Sequence, residues 1–532
     1  MAEEVKTAPD APARALARAA GPVSALILLS RLLGLVREQV FAALLGAGLH
    51  ADAFQIAFRI PNLLRDMFAE GALSAAFVPT YARVLKEGGR AAAHRLASRL
   101  LTLLGALMGV LVAAGLVFAG PLVSFLAPGF EAVPGKSEVT VLLTRVMLPF
   151  LPLVSFAAVA MGMLNAEGRF GMPAFAPAMF NVVAILWGAG LWALGFDAAL
   201  VALGWALGTL VGGAAQLAVQ VPPLRASGWS FVPEWSPGDS GIRRIAGLMG
   251  PATAGLAAVQ INIFVNSIFA SHEPGAVSWL QFAFRVLYLP IGVFGVAVGT
   301  VAMSGLARRA AEGDIPGFRA TLAQALSIVT FLSVPATAGL MVLAVPIVRL
   351  IYERGAFSVH DTASTAAALV VYSLGLVAYT SVKVLAPAFY ALGTPRVPLY
   401  ASGLAVATNL AVNLLGYERF GFRAVALGAS LGSLVNAAVL LASFERRTGG
   451  LLDRDLRDRM GRMVLCAGLM AGIAWVSWRL LEDALGGRGL LAQAITCLVP
   501  VAIGLGTYLA ATTLLGLPES RVVRGLLRRK PD

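Results

Sequence analysis

The chain has 532 residues, of which 58% are hydrophobic and only 13% are charged, and its formal net charge is +13. A soluble enzyme of this length would carry more polar residues, so the composition excludes that class and indicates a polytopic α-helical membrane protein. An excess of Lys and Arg is typical of cytoplasmic loops and of surfaces facing anionic lipid headgroups, and we favour this explanation over nucleic-acid binding.

Apolar stretches of about 20 residues are long enough to cross a bilayer as helices. In chain order they predict fourteen spans, at residues 22–45, 53–82, 98–120, 139–164, 174–195, 197–220, 243–271, 277–305, 321–345, 363–391, 397–416, 423–443, 461–481 and 489–515. Residues 1–20 have no apolar core and are predicted to form a cytoplasmic tail, not a cleaved signal peptide. Because most Lys and Arg outside the spans lie on the side of this tail, we expect both termini in the cytoplasm.

The first two predicted helices contain four arginines, which are Arg31, Arg37, Arg59 and Arg65. A cation at bilayer depth costs at least ~2.5–3.5 kcal/mol on insertion scales. Four such residues in neighbouring spans would be poorly tolerated against lipid. We therefore expect them to face a wet cavity and to bind an anionic substrate.

Helix 2 contains three residues that disfavour regular helix, which are Pro61, Gly71 and Pro79, so we predict a kink or a local unwinding. On an undistorted helix, four of its polar residues would share one face: Arg59, Asn62, Asp66 and Glu70. These side chains are candidates for substrate binding. The alternative is an internal ion-pair network that holds the bent helix in place.

Three further cations fall inside predicted spans. Arg145 lies near the outer end of helix 4, where it can snorkel to the interface, whereas Arg285 in helix 8 and Lys383 in helix 10 lie deeper. Guanidinium groups bind phosphate bidentately, which ammonium groups cannot do. Arg285 could therefore form a phosphate-binding cluster with three arginines of helices 1 and 2, which are Arg31, Arg37 and Arg65.

From residue 250 onward, every Asp and Glu falls in a predicted loop, at a helix edge or in the tail. The interior polar residues of this half are amides and a hydroxyl: Asn262, Asn266, Asn409, Asn413 and Ser430. Asn409 and Asn413 are four residues apart and share a helix face. They could form a weak cation site or a neutral polar seam between helices, and we favour the seam.

Short sequence elements recur in the two halves at a nearly constant separation. Gly21-Pro22 opens helix 1 and Gly250-Pro251 opens helix 7, while Ala57-Phe58-Arg59 recurs as Ala283-Phe284-Arg285. A duplicated six-helix unit explains this, and its even number of helices gives both copies the same orientation. We therefore predict an N-terminal lobe at 21–225, a C-terminal lobe at 240–444, an interfacial cytoplasmic linker with a short helix at 445–461, two further helices within 462–516 and a basic cytoplasmic tail at 517–532.

Cysteine and histidine are scarce. Cys466 and Cys497 lie in the last two predicted helices, and the four histidines lie in or beside loops. No metal-ligand spacing or disulfide framework follows from these positions, so we predict no metal and no cofactor.

Several longer segments resemble the MurJ (MviN) family of lipid II flippases, within the superfamily of multidrug, oligosaccharidyl-lipid and polysaccharide exporters. They are SRLLGLVRE (30–38), ADAF (51–54), PNLLR (61–65), FAEGA (68–72), NAEGRFGMPAFAP (165–177) and KVLAPAFY (383–390). The likeness runs from about residue 20 to 440. The last two predicted helices match the family in number and position only.

The resemblance implies two six-helix lobes around a central cavity and a final helix pair, within 462–516, that forms a groove for a polyprenyl tail. The implied substrate is lipid II, the undecaprenyl-diphosphate disaccharide-pentapeptide, moved to the outer leaflet of the bacterial cytoplasmic membrane for peptidoglycan synthesis. The implied partners are membrane lipids and cell-wall synthesis proteins. The family's cavity arginines correspond to Arg31, Arg37, Arg65 and Arg285, and its loop acid corresponds to Asp52. The chain departs from the family at Phe284, where members commonly have an acid.

Other functions remain open at this stage. A drug exporter of the same superfamily would be expected to have an acidic or neutral cavity, whereas a flippase for another polyprenyl-diphosphate oligosaccharide would share the positive one. An enzyme acting on the lipid needs a carboxylate or histidine constellation near the outer surface, and the short outer loops contain scattered acids only. An idle membrane scaffold would not retain costly buried arginines.

Overall fold

The computed structural model describes residues 11–65, 73–451, 453–486 and 489–521. Every regular element in this part of the chain is a helix. The chain divides into two compact units, with unit 1 ending at Ala257 and unit 2 beginning at Ala258. The boundary falls within a helix, α9 (Ser240–Ala270).

Unit 1 contains eight α-helices and a short 3-10 turn before α9. They are α1 (Ala11–Leu45), α2 (Leu49–Leu64), α3 (Leu73–Leu126), the 3-10 turn (Pro128–Ala132), α4 (Lys136–Met147), α5 (Phe150–Ala166), α6 (Gly171–Leu194), α7 (Ala198–Ala218) and α8 (Val221–Ala226). Its buried core joins α3 to α5 through side chains such as Phe77, Leu104, Met108 and Met163. Helix α1 packs along α6, and α2 packs along α4.

Unit 2 follows with ten helices and one π-helical segment. They are α10 (Ala276–Pro290), the π segment (Ile291–Val296), α11 (Ala297–Glu312), α12 (Ile315–Val342), α13 (Ala344–Tyr352), α14 (Val359–Ser373), α15 (Leu376–Ala391), α16 (Arg396–Phe420), α17 (Phe422–Thr448), α18 (Arg454–Leu485) and α19 (Leu490–Leu514). Its main core is formed by α11, α12, α15 and α17, around Phe318, Phe389 and Phe444.

Helix ends follow local sequence chemistry. The side chains of Asp197, Asp314 and Asp453 accept hydrogen bonds from backbone N–H groups of the first turns of α7, α12 and α18. The N–H of Gly317, together with the Arg309 guanidinium, holds the pKa of the Asp314 carboxyl below its ordinary value. At the other end, Gly313 adopts φ 70° and ends α11, a conformation that favours glycine.

Ten helical segments of the described chain, some of them made of two consecutive helices, are long and apolar enough to cross a membrane, and an eleventh span is counted if the bent pair α14 and α15 is one span. The multi-pass all-helical prediction is therefore confirmed, whereas the number fourteen remains a prediction. Predicted helix 2 (53–82) covers α2, the undescribed residues 66–72 and the beginning of α3. Predicted helix 10 is bent by 46° between α14 and α15. Such breaks are invisible to hydropathy, which measures apolar length only.

Two predicted connections differ from the structure. Residues 84–97, predicted as a loop, are helical on both sides of Gly89, whose non-helical backbone (φ 74°) separates the two helical parts of α3. The short separate helix predicted at 445–461 is instead divided between the end of α17 and the beginning of α18. Gly449 and Gly450 both have positive φ and end α17, and the Asp453 cap starts α18 at Arg454.

The last two helices are held against α12 and α13 within unit 2. Phe331, Met463, Met470 and Tyr508 form a buried cluster, and the Tyr508 hydroxyl donates to the Phe331 carbonyl at 2.9 Å. Polar contacts fix both ends of the pair. They are Arg349 to Glu482 at 2.5 Å, Arg459 to Glu519 at 2.6 Å and the Ser327 hydroxyl to Glu519 at 2.5 Å.

Candidate functional site

The arginines of α1 lie in different surroundings. Arg37 is largely buried, with its side chain 16% exposed; it donates to Glu38 at 2.5 Å, and its guanidinium lies 5.3 Å from the centre of the Phe180 ring. Arg31 is exposed, and no described residue forms an ion pair with it. Arg37 is therefore held by protein contacts, while Arg31 is accessible to a ligand.

Helix α6 fixes the orientation of α1 in this region. The Asn181 side chain donates to the Ser30 carbonyl at 3.1 Å, one residue before Arg31. Gly34 faces the same amide, and a Cβ there would lie 3.6 Å from the Asn181 nitrogen. Small residues allow such close helix approach in membranes, and amides bridge the helices. The backbone of α1 is thus held against α6 at Ser30 and Gly34, on either side of Arg31.

Helix α2 carries Arg59 and Asn62, and Arg65 follows at its C-terminal cap. All three are partly buried, and each makes a polar or ring contact within the protein. Pro61 lies between them without disrupting the helix, which ends at Leu64. Two other members of the predicted polar face, Asp66 and Glu70, lie outside the described residues, so the structure does not describe the predicted Arg59–Asp66–Glu70 network.

Asp52 lies in the first turn of α2 and is completely buried. Its carboxylate accepts a hydrogen bond from the Lys136 ammonium at 2.7 Å, and the lysine side chain is only 1% exposed. The same ammonium lies 4.1 Å from the centre of the Phe130 ring, which completes its surroundings by a cation–π contact. The structure therefore places Asp52 in a buried ion pair joining α2 to α4.

Sequence reasoning did not single out Lys136. It follows Pro134-Gly135 and lies between the predicted spans 98–120 and 139–164, a position that indicates a loop on the outer side. In the structure it opens α4 and points into unit 1. A single sequence gives no signal for this burial, because the side chain of a lysine beside a turn is normally exposed to solvent.

Arg285 and Lys383 belong to unit 2, and both side chains are exposed. Arg285 makes a polar or ring contact within the protein. Its neighbour Phe284 packs edge-on against the rings of Tyr372 and Tyr379, at 5.5 and 6.3 Å between centroids. The position that commonly holds an acid in the resembling family is thus part of an aromatic cluster in this chain.

The asparagines of unit 2 contact one another. The Asn409 amide donates to the side-chain oxygens of Asn262 at 2.5 Å and Asn266 at 2.8 Å, and the Asn413 amide donates to Asn409 at 3.0 Å. Gly428 lies so close that a Cβ there would meet the Asn409 oxygen at 2.3 Å. The Asn413 side-chain oxygen is buried and has no hydrogen-bond partner among the described residues. Asn409 and Asn413 share a face of α16, as predicted, and they also contact each other.

Comparisons with known proteins agree with one another. A family model described as lipid II flippase MurJ matches residues 41–486. A relative from Vibrio cholerae, named probable lipid II flippase MurJ, is 33% identical over 93% of this chain and 95% of its own length. A relative of the same name from Rhizobium tropici is 35% identical, with 94% of each chain covered.

Solved structures show the same fold. A lipid II flippase MurJ in an inward closed conformation matches 95% of this chain and 99% of its own, with a TM-score of 0.76 and 24% identity. An inward-facing multidrug transporter of the MATE family matches 81% of this chain and 95% of its own, with a TM-score of 0.66 and 19% identity. The TM-scores show that the chain shares its fold with both proteins.

Proposed function

Because the chain belongs to the MurJ family of lipid II flippases, we propose that it moves lipid II from the cytoplasmic to the outer leaflet of the bacterial cytoplasmic membrane by alternating access. This is transport and not catalysis, so no residue is assigned to bond making or breaking. The observation that best supports an anionic lipid as substrate is the series of arginines on α1 and α2, with Arg31 accessible to a ligand.

We propose that Arg31, Arg37, Arg65 and Arg285 bind the diphosphate of the substrate, because a guanidinium and a phosphate form paired charge-assisted hydrogen bonds. Arg59, Asn62, Glu70 and Lys383 are proposed to contact the neighbouring sugars or phosphates. We propose that Asp52 stabilises the position of α2 against α4, because its carboxylate pairs with Lys136. The final helix pair is proposed to bind the polyprenyl tail, and its exposed leucines, including Leu465 and Leu505, suit an apolar ligand.

The function is tested by depleting the protein from growing cells and measuring which leaflet holds lipid II, with an enzyme that cleaves only outer-leaflet substrate. We expect lipid II to accumulate in the protected inner leaflet within the depletion period. A flippase for another polyprenyl-diphosphate oligosaccharide, the alternative function, would leave lipid II accessible and trap the other glycolipid. That result would contradict lipid II as the substrate, but it would still support a polyprenyl diphosphate as the transported group.

The orientation is a separate prediction. Basic residues keep 84–97 and 445–461 in the cytoplasm, so cysteines at Lys86 or Arg447 should resist an impermeant thiol reagent in intact spheroplasts. A cysteine at Val359, on the opposite side in our topology and 70% exposed, should react. Native Cys466 and Cys497 are buried and should give little background. Labelling at Lys86 together with protection at Val359 would show that the orientation is opposite to the predicted one.

We also predict that transport is not coupled to a carboxylate site in unit 2. The interior amides of this unit bind one another, and the neutral Asn413 oxygen alone is a weak ligand for sodium. Membrane potential acting on a positive site contributes ~2.3 kcal/mol per charge per 100 mV. In vesicles, collapsing the potential should slow flipping more than replacing sodium by potassium. Strict sodium dependence that is lost in Asn413→Ala would show the opposite.

A further inference from the structure

A cavity of about 500 Å³ lies in unit 1 between α3 and the segment that connects α8 to α9. None of the arginines assigned to the diphosphate lines it. The α3 side contributes Arg90, His94, Arg95 and Ser98, and the connecting segment contributes Ser227 and Ser230. Two guanidinium groups, one imidazole and three hydroxyls therefore surround one cavity.

The bend in α3 and a fixed loop shape this cavity. Gly89, with φ 74°, interrupts α3 directly before Arg90, and residues 91, 94, 95 and 98 then follow one helix face. The connecting segment is tied to the same helix by Arg99, which donates to Glu234 at 2.5 Å and to Asp239 at 2.6 Å. The Glu234 N–H also donates to the Thr102 hydroxyl at 3.1 Å. The cavity is thus preformed by contacts within unit 1.

The charge inside the cavity is positive. The only acid among its lining residues, Glu234, is already paired with Arg99. Behind the cavity, Glu167 lies 3.4 Å from His94 and accepts the Tyr81 hydroxyl. Arg90 and Arg95 are exposed, and within the described part of the chain neither forms an ion pair. Two guanidinium groups and nearby hydroxyls are a donor set suited to a phosphate group.

Apolar side chains beside the cavity indicate where that phosphate comes from. Phe231, Val232 and Trp235 of the connecting segment are 49%, 60% and 66% exposed. The segment begins directly after α7 and α8, which end a candidate membrane span at Ala226. Exposed aromatic residues at the end of a span lie at the level of the lipid headgroups. A ligand reaching this cavity therefore meets both an apolar and a cationic surface.

We propose that this cavity binds the phosphate headgroup of an anionic phospholipid of the cytoplasmic leaflet. Arg90 and Arg95 hold the phosphate, Ser98 and Ser230 donate to it, and Phe231 and Trp235 lie against the acyl chains. The site depends on the proposed orientation of residues 84–97 and not on the identity of the transported substrate.

The test uses the full-length purified protein and native mass spectrometry, with titrations of phosphatidylglycerol and phosphatidylcholine. The double variant Arg90→Ala/Arg95→Ala is compared with Arg83→Ala/Lys86→Ala, which removes two exposed charges from the same part of α3 outside the cavity lining. We expect wild type and the control to prefer phosphatidylglycerol. The cavity variant should bind it at least about tenfold more weakly, equivalent to ~1.4 kcal/mol.

Several results would overturn the proposal. Equal losses in both double variants would mean that binding reflects general surface charge, and equal affinity for the two lipids would remove the anionic preference. Displacement of phosphatidylglycerol by millimolar inorganic phosphate would assign the cavity to a soluble anion. Arg90→Lys/Arg95→Lys retains the charges if the alanine variant does not fold, and we expect it to prefer phosphatidylglycerol with reduced affinity. If that variant bound phosphatidylglycerol as tightly as the wild type does, the result would contradict bidentate binding of the phosphate by the two guanidinium groups.

Discussion

Alanine replacement of Arg31, Arg37, Arg65 or Arg285 is expected to abolish growth of cells that depend on this protein, while the variant remains in the membrane. Each change removes hydrogen bonds to a charged group, worth ~1.5–3 kcal/mol, from binding of the diphosphate. Lysine should restore little, because an ammonium cannot form the paired bonds of a guanidinium. Growth complementation and membrane immunoblotting provide the two measurements.

Arg145→Ala is the matched control for these variants. Arg145 is exposed, as are Arg31 and Arg285, and it lies within a candidate span, but its guanidinium donates to the Leu116 carbonyl of α3 at 3.2 Å. We expect this variant to support growth. Arg37 needs one additional control, because its removal also takes one ion-pair partner from the buried Glu38. In the double variant Arg37→Ala/Glu38→Gln, which removes both charges, the protein should remain in the membrane and growth should still fail. Normal growth of all four single alanine variants would contradict diphosphate binding by these residues.

Breaking the buried pair between Asp52 and Lys136 is expected to destabilise unit 1 by ~3–5 kcal/mol, because a single replacement leaves the other charge buried without the opposite charge of this ion pair. Asp52→Ala and Lys136→Ala should both lower the melting temperature of the purified protein and its level in the membrane. The double variant Asp52→Asn/Lys136→Gln removes both charges and retains polar contact. It should recover a substantial part of the lost stability.

This series separates two roles for Asp52. If the carboxylate contacts substrate directly, as the family resemblance implies, Asp52→Ala would melt like wild type and still fail to support growth, and Lys136→Ala would be active. If the carboxylate holds α2 against α4, the two single variants fail together and the double variant regains activity with stability. We expect the second pattern, since neither side chain is more than 1% exposed.

The sequence predicts the helices of this protein better than it predicts their interruptions. Apolar runs identify membrane helices because burial in lipid requires about 20 apolar residues, and each predicted span falls on helical residues in the described chain. The turn at Gly375 between α14 and α15 and the π segment after Pro290 leave hydropathy unchanged. Residues 84–97 contain five charged or histidine side chains, which predict a loop, yet they are helical on both sides of Gly89.

For the candidate site, residue type predicts chemistry but not partners. The rarity of arginine in membrane helices singles out Arg31 and Arg37, yet only the structure reveals that Glu38 and the Phe180 ring hold the second of them. Asp52 and Lys136 are 84 residues apart, and their contact depends on the packing of α2 against α4. Asn409 and Asn413 are the simpler case, because a spacing of four residues in one helix determines their proximity.

The contacts of Glu519 also determine how the protein can be handled. This carboxylate is 5% exposed and receives both Arg459 and Ser327, although it lies only 13 residues before the C-terminus. A truncation at the end of α19 would remove it and take one of two carboxylate partners from the partly buried Arg459, which also pairs with Asp455 at 3.0 Å. Affinity tags and fluorescent reporters should therefore be fused beyond Arg521, and a C-terminal deletion that loses activity should not by itself be read as evidence for a functional tail.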